Sequence, residues 1–333
     1  MKERILTVGV TVLLSIVMFS GCIEESSFEE VDEEPVEVDM IHVDNDGAAN
    51  YTKIQKAIDD ASDGDTIFVH NGTYYETLII NKSINLIGAS KDKTIIDFQN
   101  TSKINQNNIV FIEADNCTIK ELKIIGTGTT SSDTMGININ TSYNTISNNI
   151  VLNNYKGIYI GEDSKNNNVS WNTVSNNLYG IATYYSDNNN ISKNNISSSG
   201  LYGYGIYLSV SDNNIIFGNT VSDSNFYGMK IKASENNKVF DNLVVMNRRG
   251  MHLCCGSGNN IIYYNIFKQN SEWNARDEVF NQWDNGSVGN YWDDYTGEDD
   301  DGDGIGDIPY NITNEKGISN NEDRFPLMSQ FNI

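Results

Sequence analysis

The sequence predicts an all-β, single-stranded right-handed parallel β-helix with a short N-terminal capping helix and an irregular aromatic C-terminal cap. Three observations predict it. First, an Asn-led phrase recurs as Asn144-Thr145-Ile146, Asn167-Asn168-Val169, Asn189-Asn190-Ile191, Asn214-Ile215-Ile216, Asn237-Lys238-Val239 and Asn260-Ile261-Ile262. Its period, about 23 residues, lies within the range that marks a solenoid. Second, three residues beyond the aliphatic residue of each phrase stands another Asn, at 149, 172, 194, 219, 242 and 265, soon followed by a second apolar residue, from Val151 to Phe267. Third, a Gly-apolar pair closes most units: Gly157-Ile158, Gly180-Ile181, Gly205-Ile206, Gly228-Met229 and Gly250-Met251.

Each unit thus holds three short β-prone pieces, none long enough for an independent sheet or an amphipathic helix. Stacked coil on coil at a rise of ~4.8 Å, every piece pairs in parallel with its copy, and the inward aliphatics form one core. Asn suits the corners on two counts. It tolerates the left-handed backbone of a sharp turn, and stacked amides hydrogen-bond from coil to coil. The series from Asn149 to Asn265 is therefore expected to form an internal ladder.

Taken in chain order, residues 1–22 combine a charged start, an apolar stretch and Ser20-Gly21-Cys22. They are expected to be a lipoprotein-type export signal ending at the anchor Cys22. A transmembrane anchor shares the apolar length, but this run is shorter than the ~20 residues of a comfortable span. Residues 23–39 are strongly acidic and are expected to be an extended tether. The β-helix with its N-terminal cap spans 40–270. Ile54, Ala57, Ile58 and Ala61 fall on one helical face after Asn50 and Thr52, which predicts the lid helix. Less regular coils follow, including Ile79-Ile80, Ile84-Asn85-Leu86-Ile87, Thr94-Ile95-Ile96 and Ile109-Val110-Phe111-Ile112. A coil at Cys117-Thr118-Ile119 then places Cys117 and Leu122 where later coils have Asn. Residues 271–333 lose the repeat, and Trp273, Trp283, Tyr291, Trp292 and Tyr295 are expected to close the last coil.

A net charge of −23 argues against nucleic acid and anionic membrane surfaces as partners. With Cys22 assigned to the anchor, Cys117, Cys254 and Cys255 make no disulfide framework. Nothing in the pattern requires a second copy, and a monomer is expected.

Two stretches carry a family resemblance. Tyr51-Thr52-Lys53-Ile54-Gln55-Lys56-Ala57-Ile58 through Gly64-Asp65-Thr66-Ile67 and Gly72-Thr73-Tyr74, followed by Asn-rich coils, resembles the opening of NosD-like β-helix proteins. Gly289-Asn290-Tyr291-Trp292-Asp293-Asp294-Tyr295, the acidic run to Tyr310, and Asp323-Arg324-Phe325-Pro326-Leu327 are similar to their C-terminal signature. The resemblance covers nearly all of the mature chain and implies the fold. It also implies an extracytoplasmic place, with copper handling or carbohydrate binding and cleavage among the activities of the wider group.

Three constellations could carry chemistry. Asp299, Asp301, Asp303 and Asp307 on a Gly-rich loop are expected to wrap Ca²⁺, with Asp293 or Asp294 available to complete the shell; Tyr310 at the twelfth position rules out a complete EF-hand. On one sheet, Tyr159, Ala182, Tyr207, Lys230 and His252 should point outward beside Tyr155, Lys156, Tyr179, Tyr204, Tyr227, Arg248 and Arg249. With Lys232, these offer ring faces to sugars and cations to carboxylated or sulfated glycans. The nearby acids Glu162, Asp163, Asp223 and Asp241 do not obviously pair, as a hydrolase would need, so a lyase or hydrolase is the lesser reading. Lastly, Met251, His252, Cys254 and Cys255, near Met246, are soft ligands suited to copper(I). The expectation is a lipid-anchored surface protein that binds glycan or cell-envelope polysaccharide. A glycan-cleaving enzyme and a copper-binding maturation factor are the alternatives.

Overall fold

A computed structural model of the protein describes residues 40–98, 107–128, 134–198 and 200–331, and the side chains of all these except 319 and 320. The expected export signal with its anchor Cys22, and the tether, lie outside the described residues.

Successive coils each contribute strands to parallel sheets, which contain ten, eleven and ten strands among the described residues. The expected upstream pieces are strands too, at Leu78–Ile80, Asn85–Gly88, Thr94–Asp97 and Asn108–Ile112. Register follows the repeat: Ile146 pairs with Val169, then Ile191, Ile216, Val239 and Ile262. All six are buried and belong to one continuous aliphatic core. The chain is thus an all-β parallel solenoid. Its only antiparallel pairing among the named strands joins Tyr310–Thr313 to Ser319–Asp323 at the C-terminal end.

The Asn series forms the expected ladder. Asn172 Nδ2 donates to Asn194 Oδ1, Asn194 Nδ2 to Asn219 Oδ1, Asn219 Nδ2 to Asn242 Oδ1 and Asn242 Nδ2 to Asn265 Oδ1, at 2.9–3.0 Å. Each Oδ1 also accepts the backbone N–H of the Asn one coil before, as Asn219 does from Asn194. Cys117 and Leu122 occupy the first rungs and donate their N–H groups to Asn144 and Asn149. A second ladder runs from Asn144 to Asn281. At another corner, Ser186, Ser211, Ser234 and Ser257 are linked by backbone N–H to Oγ bonds.

The structure corrects one half of the reason given for these Asn residues. The left-handed residues are those immediately ahead of the ladder: Asn148, Trp171, Lys193, Gly218, Asp241 and Tyr264 at one corner, Asn166, Asn188, Asn213, Asn236 and Asn259 at another. The ladder Asn itself leaves the corner, where its amide can reach the coils on both sides. The glycines of the Gly-apolar pairs respond to close approach, not to turn geometry. A Cβ at Gly205 would lie 2.5 Å from the Gly228 carbonyl oxygen and 2.3 Å from Val221 Cγ1.

Both ends are covered. The helix Ile54–Asp60 buries Ile54, Ala57 and Ile58. Its free N–H groups at Ile54 and Gln55 donate to the Glu76 carboxylate, both at 3.0 Å, rather than to Asn50 or Thr52 as expected. At the other end Trp283 and Trp292 are fully buried against Phe267. Their indole N–H groups donate to Asp277 and Asp323 at 2.9 Å. Trp273 departs from the expected cap: it pairs with Arg249 on the eleven-stranded sheet and packs on Tyr227 and His252.

Candidate functional site

The eleven-stranded sheet contains the longest strands, including Tyr179–Tyr184, Tyr204–Ser209, Tyr227–Lys232 and Arg249–Cys254. Because their register is strict, residues one repeat apart become neighbours. Tyr159, Ala182, Tyr207, Lys230, His252 and Arg276 form one outward column. Lys156, Tyr179, Tyr204 and Tyr227 form another along the strand starts.

The tyrosines stack on one another. Tyr179 and Tyr204 lie 4.8 Å apart with planes 2° from parallel, and Tyr204 stacks on Tyr227 at 5.7 Å. Their faces are therefore largely used internally, and burial pushes the Tyr179 phenol up to about 12. The ring faces expected for sugar are not all on offer.

What is offered is a gap in the other column. Ala182 stands between Tyr159 and Tyr207, where every larger neighbour would fill the surface. A cleft of ≈ 270 Å³ opens over it, lined by Tyr155, Lys156, Tyr159, Tyr179, Ala182, Thr183, Tyr184 and Tyr207. The Lys156 ammonium lies 3.8 Å over the Tyr159 ring. Among the described residues no Asp or Glu lines the cleft. Asp163, Asp223 and Asp241 occupy left-handed corners instead. Tyr155, Lys156, Tyr179 and Tyr207 of the expected stripe thus come together, along with Tyr184, which the expected stripe left out although it lies two residues beyond Ala182 on the same face of the strand.

Most of the remaining stripe is engaged in contacts within the protein. Tyr227 is buried, and its hydroxyl accepts a bond from Arg249 Nη1 at 3.0 Å. Arg248 and Arg249 both pair with Glu272 at 2.6 Å, and the two arginines hold that carboxyl below its usual range. Lys230 lies over the Tyr227 ring, while Lys232 is exposed. His252 points outward as expected, yet only 1% of it is exposed and neither ring nitrogen has a hydrogen-bond partner. Burial, then the positive charges of Lys230, Arg276 and Arg249, hold its imidazole down to about 4.

The copper set does not assemble. Met251 is fully buried in the aliphatic core, whereas His252 and Cys254 leave the same strand on its outer side. The Cys254 and Cys255 sulfurs lie 3.0 Å apart, and burial pushes the Cys254 thiol up to about 12. Met246 is exposed at a left-handed corner. Among the acids, Asp299, Asp301 and Asp303 bring ligand oxygens within 4.8 Å of one another. Asp307 does not join them in that group; its Oδ2 accepts the Asp300 N–H. Asp293 and Asp294 hold Asn274, and Asp294 also accepts the Tyr310 hydroxyl, so neither turns toward the loop.

Solved structures of other proteins share this parallel solenoid fold. The structure is similar to the Dettilon tailspike protein, with a TM-score of 0.53 and 16% identity over 61% of this chain and 44% of that one. It is also similar to XylC in complex with xylose, at 0.54 and 13% over 76% and 71%. A third similar structure is DFA-IIIase from Arthrobacter chlorophenolicus A6, at 0.54 and 12% over 72% and 69%. The chain spans less than half the length of the Dettilon tailspike. At these identities the likeness is one of fold. Residues 58–203 and 162–297 match the family described as Periplasmic copper-binding protein (NosD), and together they span most of the chain, which belongs to that family. No curated protein matches it.

Proposed function

We propose that the protein is an extracytoplasmic, lipid-anchored β-helix that binds a carboxylated or sulfated glycan of the cell envelope. The observation that carries this reading is the Ala182 gap, a cleft walled by tyrosine rings with a lysine at its edge. Aromatic rings stack on the apolar faces of sugars, and the ammonium of Lys156 favours an anionic one. The periplasmic description of the family and the xylose bound by XylC agree with this reading. Attachment is assigned to Cys22, which follows a charged start, an apolar stretch and Ser20-Gly21. Replacing Cys22 by Ser should release the protein from membranes.

Binding is favoured over cleavage because a hydrolase needs two carboxylates at close range and the described residues lining the cleft include none. Copper binding, for which the family is described, is not extended to the full set of Met251, His252, Cys254 and Cys255, since Met251 faces the core while His252 and Cys254 face outward. Structural Ca²⁺ at Asp299, Asp301 and Asp303 is retained, with Asp307 outside the immediate shell. Calcium should raise the thermal midpoint of the wild type but not of Asp301→Asn, and an equal response would refute it.

A glycan array tests the main reading. Anionic glycans should bind, weakening as salt rises, and Tyr207→Ala should lose binding while Arg248→Ala, outside the cleft, retains it. Binding to neutral glycans alone, or loss only in Arg248→Ala, would overturn it.

A further inference from the structure

Away from the cleft, the one fully buried imidazole of the solenoid wall lacks a partner. His252 leaves the strand Arg249–Cys254 on its outer side and is enclosed there by the rings of Tyr227 and Trp273. Its Nε2 lies 3.6 Å from Glu278 Oε1 and 3.7 Å from Glu315 Oε1. Glu278 follows the next strand of the same sheet. Glu315 lies in the turn that joins the C-terminal antiparallel strands, 63 positions beyond the histidine by their numbers. Hydrogen bonds of N–H to O lie near 2.7–3.2 Å, so neither distance is a hydrogen bond. A buried polar atom without a hydrogen bond is costly, and here both ring nitrogens are left so.

The three side chains bring ligand atoms within 4.8 Å of one another. A tetrahedral zinc ion at ~2.0–2.1 Å from nitrogen and ~2.0–2.2 Å from oxygen separates its ligand atoms by about 3.4 Å. The two distances from His252 Nε2, 3.6 and 3.7 Å, fall close to that span. One imidazole and two carboxylates are borderline and hard donors, a set that suits zinc and does not suit copper(I). The backbone already fixes one ligand: Glu278 Oε1 accepts the Glu315 N–H at 2.6 Å, which draws the hairpin turn over the histidine. Lys230, Arg249 and Arg276 stand near enough to oppose a further positive charge. Two carboxylates converging on one imidazole provide the offsetting negative charge.

We infer that His252, Glu278 and Glu315 form a binding site for a divalent cation of the zinc type, with water as a fourth ligand, that fastens the C-terminal hairpin to the solenoid wall. The site is structural by this account. It couples a turn to two strands distant in sequence, and it lies apart from the Asp299–Asp303 carboxylates.

The test uses the full chain stripped of metal by chelation and titrated with zinc chloride by calorimetry, with Asp301→Asn included so that the acidic loop cannot account for the signal. One zinc per chain should bind to this protein, and Glu315→Gln should weaken it at least tenfold. Glu315 is an exposed turn residue, so that variant should fold normally. Limited proteolysis of the 314–318 turn supplies a second readout: zinc should slow cleavage in the parent and leave Glu315→Gln unaffected. No zinc binding in the parent, or equal binding in parent and Glu315→Gln, would overturn the inference, as would cleavage that zinc does not slow.

Discussion

Replacing Asn219 by Ala should destabilise the solenoid far more than removing an exposed polar residue would. Asn219 is fully buried in mid-ladder. Its Oδ1 accepts from the Asn194 backbone and Asn194 Nδ2, both at 3.0 Å. Its Nδ2 donates to Ile191 O, Phe217 O and Asn242 Oδ1 at 2.8–3.1 Å. Alanine removes all five while leaving their partners buried, and at a net ~1 kcal/mol for each bond the loss is about 5 kcal/mol. Asn213 is the control. It is exposed and left-handed, at φ 57, and alanine there should cost only the left-handed penalty of about 1–2 kcal/mol. Urea unfolding followed by circular dichroism measures both variants, with wild type alongside. Solenoids can unfold coil by coil, so the comparison should use the same probe and the same baseline for all three. Equal losses, or a loss below about 1 kcal/mol for Asn219→Ala, would refute the claim that the amide column holds the coils together.

Other consequences follow from the same packing. Gly205→Ala forces a methyl against the Gly228 carbonyl and Val221, and should cost about 1–3 kcal/mol by thermal unfolding. Glu76→Gln should destabilise the N-terminal helix without altering the distant cleft; local hydrogen exchange at Ile54 and Gln55 would rise if Glu76 is their cap. Burial pushes Asp277 and Asp323 up to about 6. A raised carboxylate favours the protonated native state, so this contribution is full below the ordinary carboxylate range near pH 4 and is lost as pH rises through about 6. Tryptophan fluorescence should therefore report a more stable cap at pH 5 than at pH 7, with the difference reduced in Asp277→Asn; an unreduced difference would exclude these groups as its source.

The solenoid was legible because its physics repeats. Register, the inward aliphatics and the Asn149 to Asn265 ladder all follow from side chains one coil apart becoming neighbours. What was less legible depended on contacts that do not repeat. Glu76 caps a helix 21 and 22 positions before it, so local capping rules pointed to Asn50 and Thr52 instead. The left-handed corner shifted by one residue because an Asn cannot both turn the chain and reach two coils. On the stripe, alternation placed Tyr159, Ala182 and Tyr207 outward, but only the assembled column turns Ala182 into a gap. The lower stripe looked open in sequence, yet Glu272 takes both arginines, and the hairpin carrying Glu315 reaches the histidine. The soft ligands Met251, His252 and Cys254 looked adjacent, but β alternation sends Met251 to the opposite side.

Calorimetry with an anionic oligosaccharide, comparing wild type with Ala182→Tyr, most directly probes the functional reading. Tyrosine already stands on both sides of Ala182 in its column, so the substitution fills the cleft without disturbing register. Loss of binding in a variant that keeps its thermal midpoint is the predicted result; undiminished affinity would contradict the account.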